Sequence, residues 1–434
     1  MGKAKKVGGR RVASKSSGSS APPSIPPAPI DATAILATAR TSLDHGDPDA
    51  AISAASRVLA FDPSHLAALE TLGIALLESG SPERAYDAFM AYHARDSANA
   101  AVELYLGQLA GGKPAVQHFQ RAIEVLVAQH QQHVESGNGA GVGETVEKAV
   151  EAYCSVAELY MTDLCFEPEA EQTCLDVLHR AIALDPSNPN PYLTLASVEI
   201  SRSRPSEARA ALQQGLSVWL PALVAYLKQH AAAAASASAS ADDDNDNDTP
   251  PLEAAELAAE PPTIPAFDAR IAAARLCVEL GLYGRALDVL GVCAGEFDES
   301  VDVWYLMGWT YYLIGEAVSA AAAGTTPTVT VADVAVAVEL PDADVMAARA
   351  DAGRDVWWAD AGECLGRALR FYAADGHDDT QLLAHVRELL AAITAAGVTL
   401  TLGEGEMEFG LTAGDEAGDD DDEQGNSEWE DMDV

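Results

Sequence analysis

Aromatic side chains are scarce in this chain, at 6% of its residues, and basic ones are heavily outnumbered: 26 Lys and Arg stand against 67 Asp and Glu, a formal net charge of −41. So few cations exclude a surface built for nucleic acid or an anionic membrane, and favour a basic partner. The six cysteines (Cys154, Cys165, Cys174, Cys277, Cys293, Cys364) include no CxxC pair and no metal-ligand spacing. Several fall on apolar helical faces, where a free thiol packs as a small hydrophobe, so reduced thiols and an intracellular protein are expected. No apolar stretch at the start reads as a secretory signal, and no apolar run is long enough to read as a membrane span. The start MGKAKK also fails as a myristoylation signal, because Lys6 stands where Ser or Thr is needed.

Catalytic patterns are missing too. Gly139-Ala140-Gly141-Val142-Gly143 follows polar sequence with no strand before it and has neither GxGxxG spacing nor a Walker lysine, so it reads as a loop. His130 and His133 have no acidic or cysteine partner at ligand spacing and read as solvated helix surface. No HExxH, GxSxG or Ser-Lys arrangement occurs. The expectation is a protein without catalytic, cofactor-binding or metal residues, and not an enzyme.

What the chain does have is alanine, helical periodicity and a charge sorted along its length. Small side chains let helices approach closely at little entropic cost. Residues 1–15 carry six bases and no acid, whereas residues 403–434 carry fourteen acids and no base. Residues 1–30 are basic, then Ser-rich, then Pro-rich, and read as a disordered segment; the acidic tail 403–434 reads the same way.

Between them, residues 31–402 resemble an array of tetratricopeptide units of about 34 residues, each a pair of antiparallel helices with small residues where the two cross. A frame at Leu66 places Leu69, Leu72, Gly73, Leu76, Ala85 and Phe89 at signature positions. A frame at Pro189 gives Tyr192, Leu195, Ala196, Ala208 and Leu212, and one at Phe267 gives Ala273, Ala274, Cys277, Ala286 and Leu290. The strongest, at Val301, reads Trp304, Met307, Gly308, Tyr311. Second helices ending in Asp-Pro recur at Asp62-Pro63 and Asp185-Pro186. The fold class is all-α: a tetratricopeptide-repeat superhelix of about seven helical hairpins closed by a C-terminal capping helix over Thr380–Ala396. Three interruptions are expected, at 129–143, 231–265 and 315–354. The last contains a β-branched run, Thr325–Val338, that reads as a local strand or an extended loop.

Stacked hairpins of this kind line a concave groove with their first helices, suited to an extended or helical peptide. Groove-facing positions carry Glu70, Ile74 and Glu78 in one frame, Glu151 and Glu158 with Asp163 just beyond in a second, and Asp302, Tyr305, Trp309 and Tyr312 in the strongest. Acids with an aromatic patch suit Lys and Arg through charge pairing and cation–π contact. Glu70 stands where a carboxylate clamp for chaperone tails needs lysine, so acidic C-terminal peptides are disfavoured. In the tail, Glu428, Trp429, Glu430 and Asp431 set an aromatic among carboxylates, a pattern that fits a clasp over a basic partner. Lys3, Lys5, Lys6, Arg10 and Arg11 form a nuclear-localisation or ribosome-proximal candidate.

The basic MGKAKK start, the repeats with an acidic insertion, and an acidic tail ending in Trp-Glu-Asp-Met together resemble the fungal assembly chaperones of ribosomal protein L-four. The resemblance implies capture of that newly made protein, shielding of its long basic internal loop in the groove, and delivery to nuclear pre-ribosomes. The expected complex is 1:1 with a monomer of this chain, cytoplasmic and nuclear, and joined at times by an import receptor; the acidic charge argues against direct nucleic acid or membrane partners. Two other classes stay open on the residues alone: a general tetratricopeptide adaptor, and an acidic histone-type chaperone.

Overall fold

A computed structural model describes residues 31–240, 264–349, 353–375 and 378–400, with residues 228–240 and 375 as helical backbone alone. The nuclear-localisation candidates Lys3, Lys5, Lys6, Arg10 and Arg11 and the tail residues Glu428, Trp429, Glu430 and Asp431 lie outside the described residues. The chain divides into two compact units, Met1–Ser97 and Ala98–Val434.

The first unit pairs α1 (Ala32–Asp44) with α2 (Pro48–Phe61) and α3 (Leu66–Glu78) with α4 (Pro82–His93). Local chemistry sets the ends. Asp31 and Asp47 accept the Ala34 and Ala50 N–H groups at the starts of α1 and α2, and Pro48 opens α2 where no N–H is needed. Asp62 closes α2 by accepting both the backbone N–H and the hydroxyl of Ser64, at 2.9 and 2.6 Å. Asp185 and Ser187 repeat that turn in the second unit, at 2.9 and 2.5 Å, so the recurrent Asp-Pro-Ser does end second helices.

The second unit continues the pattern. Its pairs are α5 (Ala100–Leu109) with α6 (Gly112–Ser136), α7 (Gly139–Met161) with α8 (Ala170–Leu184), α9 (Asn190–Ser201) with α10 (Pro205–Ser240), and α11 (Phe267–Glu279) with α12 (Tyr283–Glu296). The last pair, α13 (Val301–Ala322) with α15 (Gly353–Asp375), is split by an insertion, and α16 (Thr380–Ala395) packs on it as the expected closing helix. Seven helical pairs and a cap are thus present among the described residues. One contact recurs and explains the repeat signature: a first-helix glycine faces a large second-helix side chain. A Cβ on Gly73 would strike the Phe89 ring, one on Gly107 would lie 2.9 Å from Phe119, and one on Gly308 2.7 Å from Leu365.

The three expected interruptions need correction. Residues 129–143 are not a loop: α6 runs to Ser136, left-handed Gly137 ends it, and Asn138 accepts the Gly141 N–H to start α7. The Gly139–Gly143 run therefore opens a helix; Gly141 lies so near His133 that a Cβ would stand 2.5 Å from its Nδ1. In 231–265, α10 continues ten residues through the alanine run to Ser240, in line with alanine's helix propensity. In 315–354, α13 first extends to Ala322; then β1 (Thr328–Val331) and β2 (Val334–Ala337) form an antiparallel hairpin, followed by α14 (Ala343–Ala348). Membrane-spanning length is also reached: Pro205–Leu227 is long and apolar enough by length and composition. That stretch is a core helix, with Leu212, Leu216, Trp219, Leu220 and Leu223 buried in the cluster shared with α11 and α12.

Five of the six cysteines are buried free thiols and Cys165 is exposed. Burial pushes the Cys154 and Cys364 thiols up to about 12, which suppresses thiolate chemistry at both.

Candidate partner-binding site

The sequence candidates fall into separate groups. In the first unit, α3 carries Glu70, half-buried, and Glu78, exposed, with half-buried Ile74 between them. In the second, α7 exposes Glu151 and Glu158 two turns apart. Although Glu158 reaches solvent, partial desolvation by the side chains around it, and then the neighbouring Glu151 charge, push its carboxyl above the ordinary glutamate range. Asp163 is exposed but occupied: its Oδ2 accepts the Gly112 N–H at 3.1 Å, where α6 begins. Its described role is therefore a cap on a helix N-terminus, a role that sequence spacing did not signal.

Asp302, Tyr305 and Trp309 come together on α13. Asp302 pairs with Arg275 of α11 at 2.5 Å. The Tyr305 and Trp309 rings stack at 6.0 Å with 22° between planes, and His385 of α16 stands edge-on to both, at 5.8 and 5.3 Å. The Tyr305 hydroxyl and His385 Nδ1 share a hydrogen bond of 2.9 Å. Burial raises the Tyr305 phenol pKa, with Arg275 opposing and Asp379 and Asp302 reinforcing. Tyr312 belongs to a different stack. Its ring lies 4.8 Å from Trp358 at 8°, Trp358 Nε1 donates to the Tyr312 carbonyl at 3.1 Å, and the Arg354 guanidinium sits 4.3 Å from the Trp358 ring.

Tyr305 and Trp309 face a cleft of 620 Å³. Leu306 and Leu313 lie along the same helix, Val278 and Glu279 come from α11, and Asp379 and Gln381 from the start of α16; the fourth wall is Val329 and Thr330 of β1. The insertion thus builds part of the site, being strapped back over the preceding repeats. Glu339 N donates to Gly281 O at 2.7 Å, Tyr283 N donates to Glu339 O at 3.0 Å, and Gln213 Nε2 donates to Glu339 Oε2 at 3.1 Å. Arg209 of α10 also donates to the Ala337 carbonyl. Gly281, at φ 71°, supplies the turn, and a side chain there would collide with Val329. Sequence reasoning missed Arg275, Glu279, Asp379 and His385, which reach the site only through tertiary packing. The one usable signal was the β-branched run Thr325–Val338, which supplies Val329 and Thr330 to the cleft.

Chemically, the cleft can hold an apolar or cationic chain. It offers π faces, aliphatic walls and carboxylates.

No family model matches the chain. It is 27% identical to a protein of Emericella nidulans named probable assembly chaperone of rpl4, over 92% of this chain and 88% of that protein. It is 26% identical to the Schizosaccharomyces pombe protein of the same name, over 48% of this chain and 51% of that one. A solved structure of residues 1–338 of the assembly chaperone of RpL4, Acl4, matches with a TM-score of 0.53 and 29% identity, covering 68% of this chain and all of that one. In sequence along nearly its whole length, and in its helical-repeat fold, the chain is similar to the fungal assembly chaperones of rpl4.

Proposed function

We propose that this protein is a dedicated chaperone of the ribosomal protein named in its relatives, rpl4, and that it works by shielding a strongly basic segment until assembly. The observation that carries this reading is the similarity across 92% of the chain and 88% of a relative named for that task. Such relatives support a binding role and not an enzymatic one.

The chemistry of the chain supports the same role. A long cationic client binds stray RNA or aggregates unless its charge is neutralised. A protein of net charge −41 neutralises it through many weak, exchangeable contacts, which rRNA can later displace. In this reading Glu70, Glu78, Glu151, Glu158 and Asp302 supply charge, Tyr305 and Trp309 an aromatic anchor, and Tyr312 a neighbouring one. The complex is 1:1, travels from cytoplasm to nucleus, engages an import receptor, and needs neither nucleic acid nor membrane.

Co-expression tests the reading directly. The full chain together with rpl4 is expected to give a soluble 1:1 complex by size-exclusion chromatography with light scattering, from cells in which rpl4 alone is insoluble. Equal solubilisation of histones, or no complex with rpl4, would overturn it.

A further inference from the structure

Among the described residues, the hairpin β1–β2 has one occupied edge and one open edge. Its pairs are Thr328↔Ala337, Val329↔Val336, Thr330↔Ala335 and Val331↔Val334, joined through Ala332 and Asp333 at φ 45° and 66°. In a two-residue hairpin the closing pair, here Val331 with Val334, exchanges both backbone bonds, and the bonded pairs then alternate. Val329 with Val336 is the next bonded pair, and the bond from Val338 N to Pro327 O, 3.2 Å, continues that alternation. The backbone groups of Thr328, Thr330, Ala335 and Ala337 therefore point away from the partner strand. On β2 the outward Ala337 carbonyl is taken by Arg209. On β1, no group among the described residues bonds the outward N–H and C=O of Thr328 and Thr330.

The side chains fix which way the hairpin lies. Val331 is buried, and Val329 and Val336 pack on the core, whereas Thr328 and Thr330 are exposed. The hairpin is thus held down by one face while β1 stays accessible along the 620 Å³ cleft, whose walls include Val329, Thr330, Tyr305 and Trp309. An open strand edge beside a cleft is the arrangement that accepts an extended peptide by strand addition, with alternate side chains seated in pockets. Glu279 and Asp379 line the cleft, Asp379 also capping α16 by accepting the Gln381 and Leu382 N–H groups at 3.0 and 2.9 Å, and the cleft's Arg275 already holds Asp302. Three carboxylates against one guanidinium select a cationic occupant and repel the chain's own tail, which carries fourteen acids and no base.

We infer that β1 is a docking edge: an extended basic segment of the client adds to Thr328–Val331 as a third strand and places alternate side chains over Tyr305 and Trp309. This deepens the proposed function by giving its client a binding mode. The test uses the full chain and a fluorescent decapeptide alternating Arg and Val, read by anisotropy. Thr330→Pro removes an outward N–H and puts a ring on the open edge, yet leaves the bonds to β2 intact, because proline is tolerated at an edge strand. About ten-fold weaker peptide binding is expected, with Thr328→Pro behaving alike and Ala335→Pro, on the opposite edge, binding as the unmodified chain does. Unchanged affinity in both β1 variants, with unchanged melting, would overturn the inference; so would much tighter binding by a chain lacking residues 1–15, which would name that basic start as the occupant. Binding of rpl4 by the unmodified chain is scored separately, so loss of the chaperone reading and loss of the docking edge are told apart.

Discussion

Gly308 and Gly291 both lie inside helices of the second unit, and elementary propensity treats them alike: alanine in either place should help the helix by up to about 1 kcal/mol. Their surroundings give opposite answers. A Cβ on Gly291 would meet nothing within 4 Å, so Gly291→Ala is expected to raise the unfolding free energy by about 0.4–1 kcal/mol. A Cβ on Gly308 would stand 2.7 Å from Leu365 Cγ and 3.1 Å from the Ala361 carbonyl. Backbone cannot give way as a side-chain tip can, so Gly308→Ala is expected to cost about 1–3 kcal/mol. Urea titration of the two variants checks the pair, and equal shifts would refute the view that Gly308 is kept for the close approach of α13 and α15. Such glycines were legible in the sequence, because a small residue at the crossing is what the repeat pattern encodes. Asp163 was not, since its bond to Gly112 N joins segments 51 positions apart.

At the scale of the element, α7 shows charge kept at a cost. Glu158 is raised by partial desolvation and by Glu151, so its ionised form is disfavoured in the folded chain. The sign follows from linkage: an acid with a raised folded pKa opposes folding fully above that pKa, and the penalty is gone below the ordinary glutamate value. Glu158→Gln is therefore expected to stabilise the protein at pH 7 by about 0.5 kcal/mol, the scale of an exposed like-charge contact. The gain should vanish in melting curves taken near pH 4. A loss of stability at pH 7 would show that the carboxylate is doing structural duty and is not held ready for a cation. Helices with strong periodicity and Asp or Asn caps, such as α1, α2 and α5, could be read from sequence because their ends are decided locally. The ends of α6, α7 and α10 could not. The Gln/His and Gly-rich stretch looks polar and broken, but Gly137 and Asn138 end one helix and start the next within two residues. The strap was half legible: its β-branched run announced strands, while its contacts with Gly281, Gln213 and Arg209 lie wholly in tertiary structure.

For the whole molecule the governing quantity is charge. With 67 acids to 26 bases, long-range attraction to a cationic client is strong at low ionic strength and short-ranged at high, as the screening length falls from about 10 Å near 0.1 M salt to about 3 Å near 1 M. In the proposed binding mode the cleft adds a component that salt does not screen in this way, from apolar burial against Val329, Leu306 and Trp309. Two components predict a particular curve: affinity for rpl4 should drop steeply, by about ten-fold or more, as salt rises through the physiological range, and then level off to a residual set by the cleft. Calorimetry over a salt series can separate them. A chain ending at residue 402 lacks fourteen acids, so if the tail clasps the client its initial slope should be shallower while the high-salt residual is unchanged. An affinity indifferent to salt would remove electrostatic shielding from the mechanism. A full chain and a truncated one with the same slope would confine that shielding to the folded repeats, with the acids of α3, α7 and α13 carrying it.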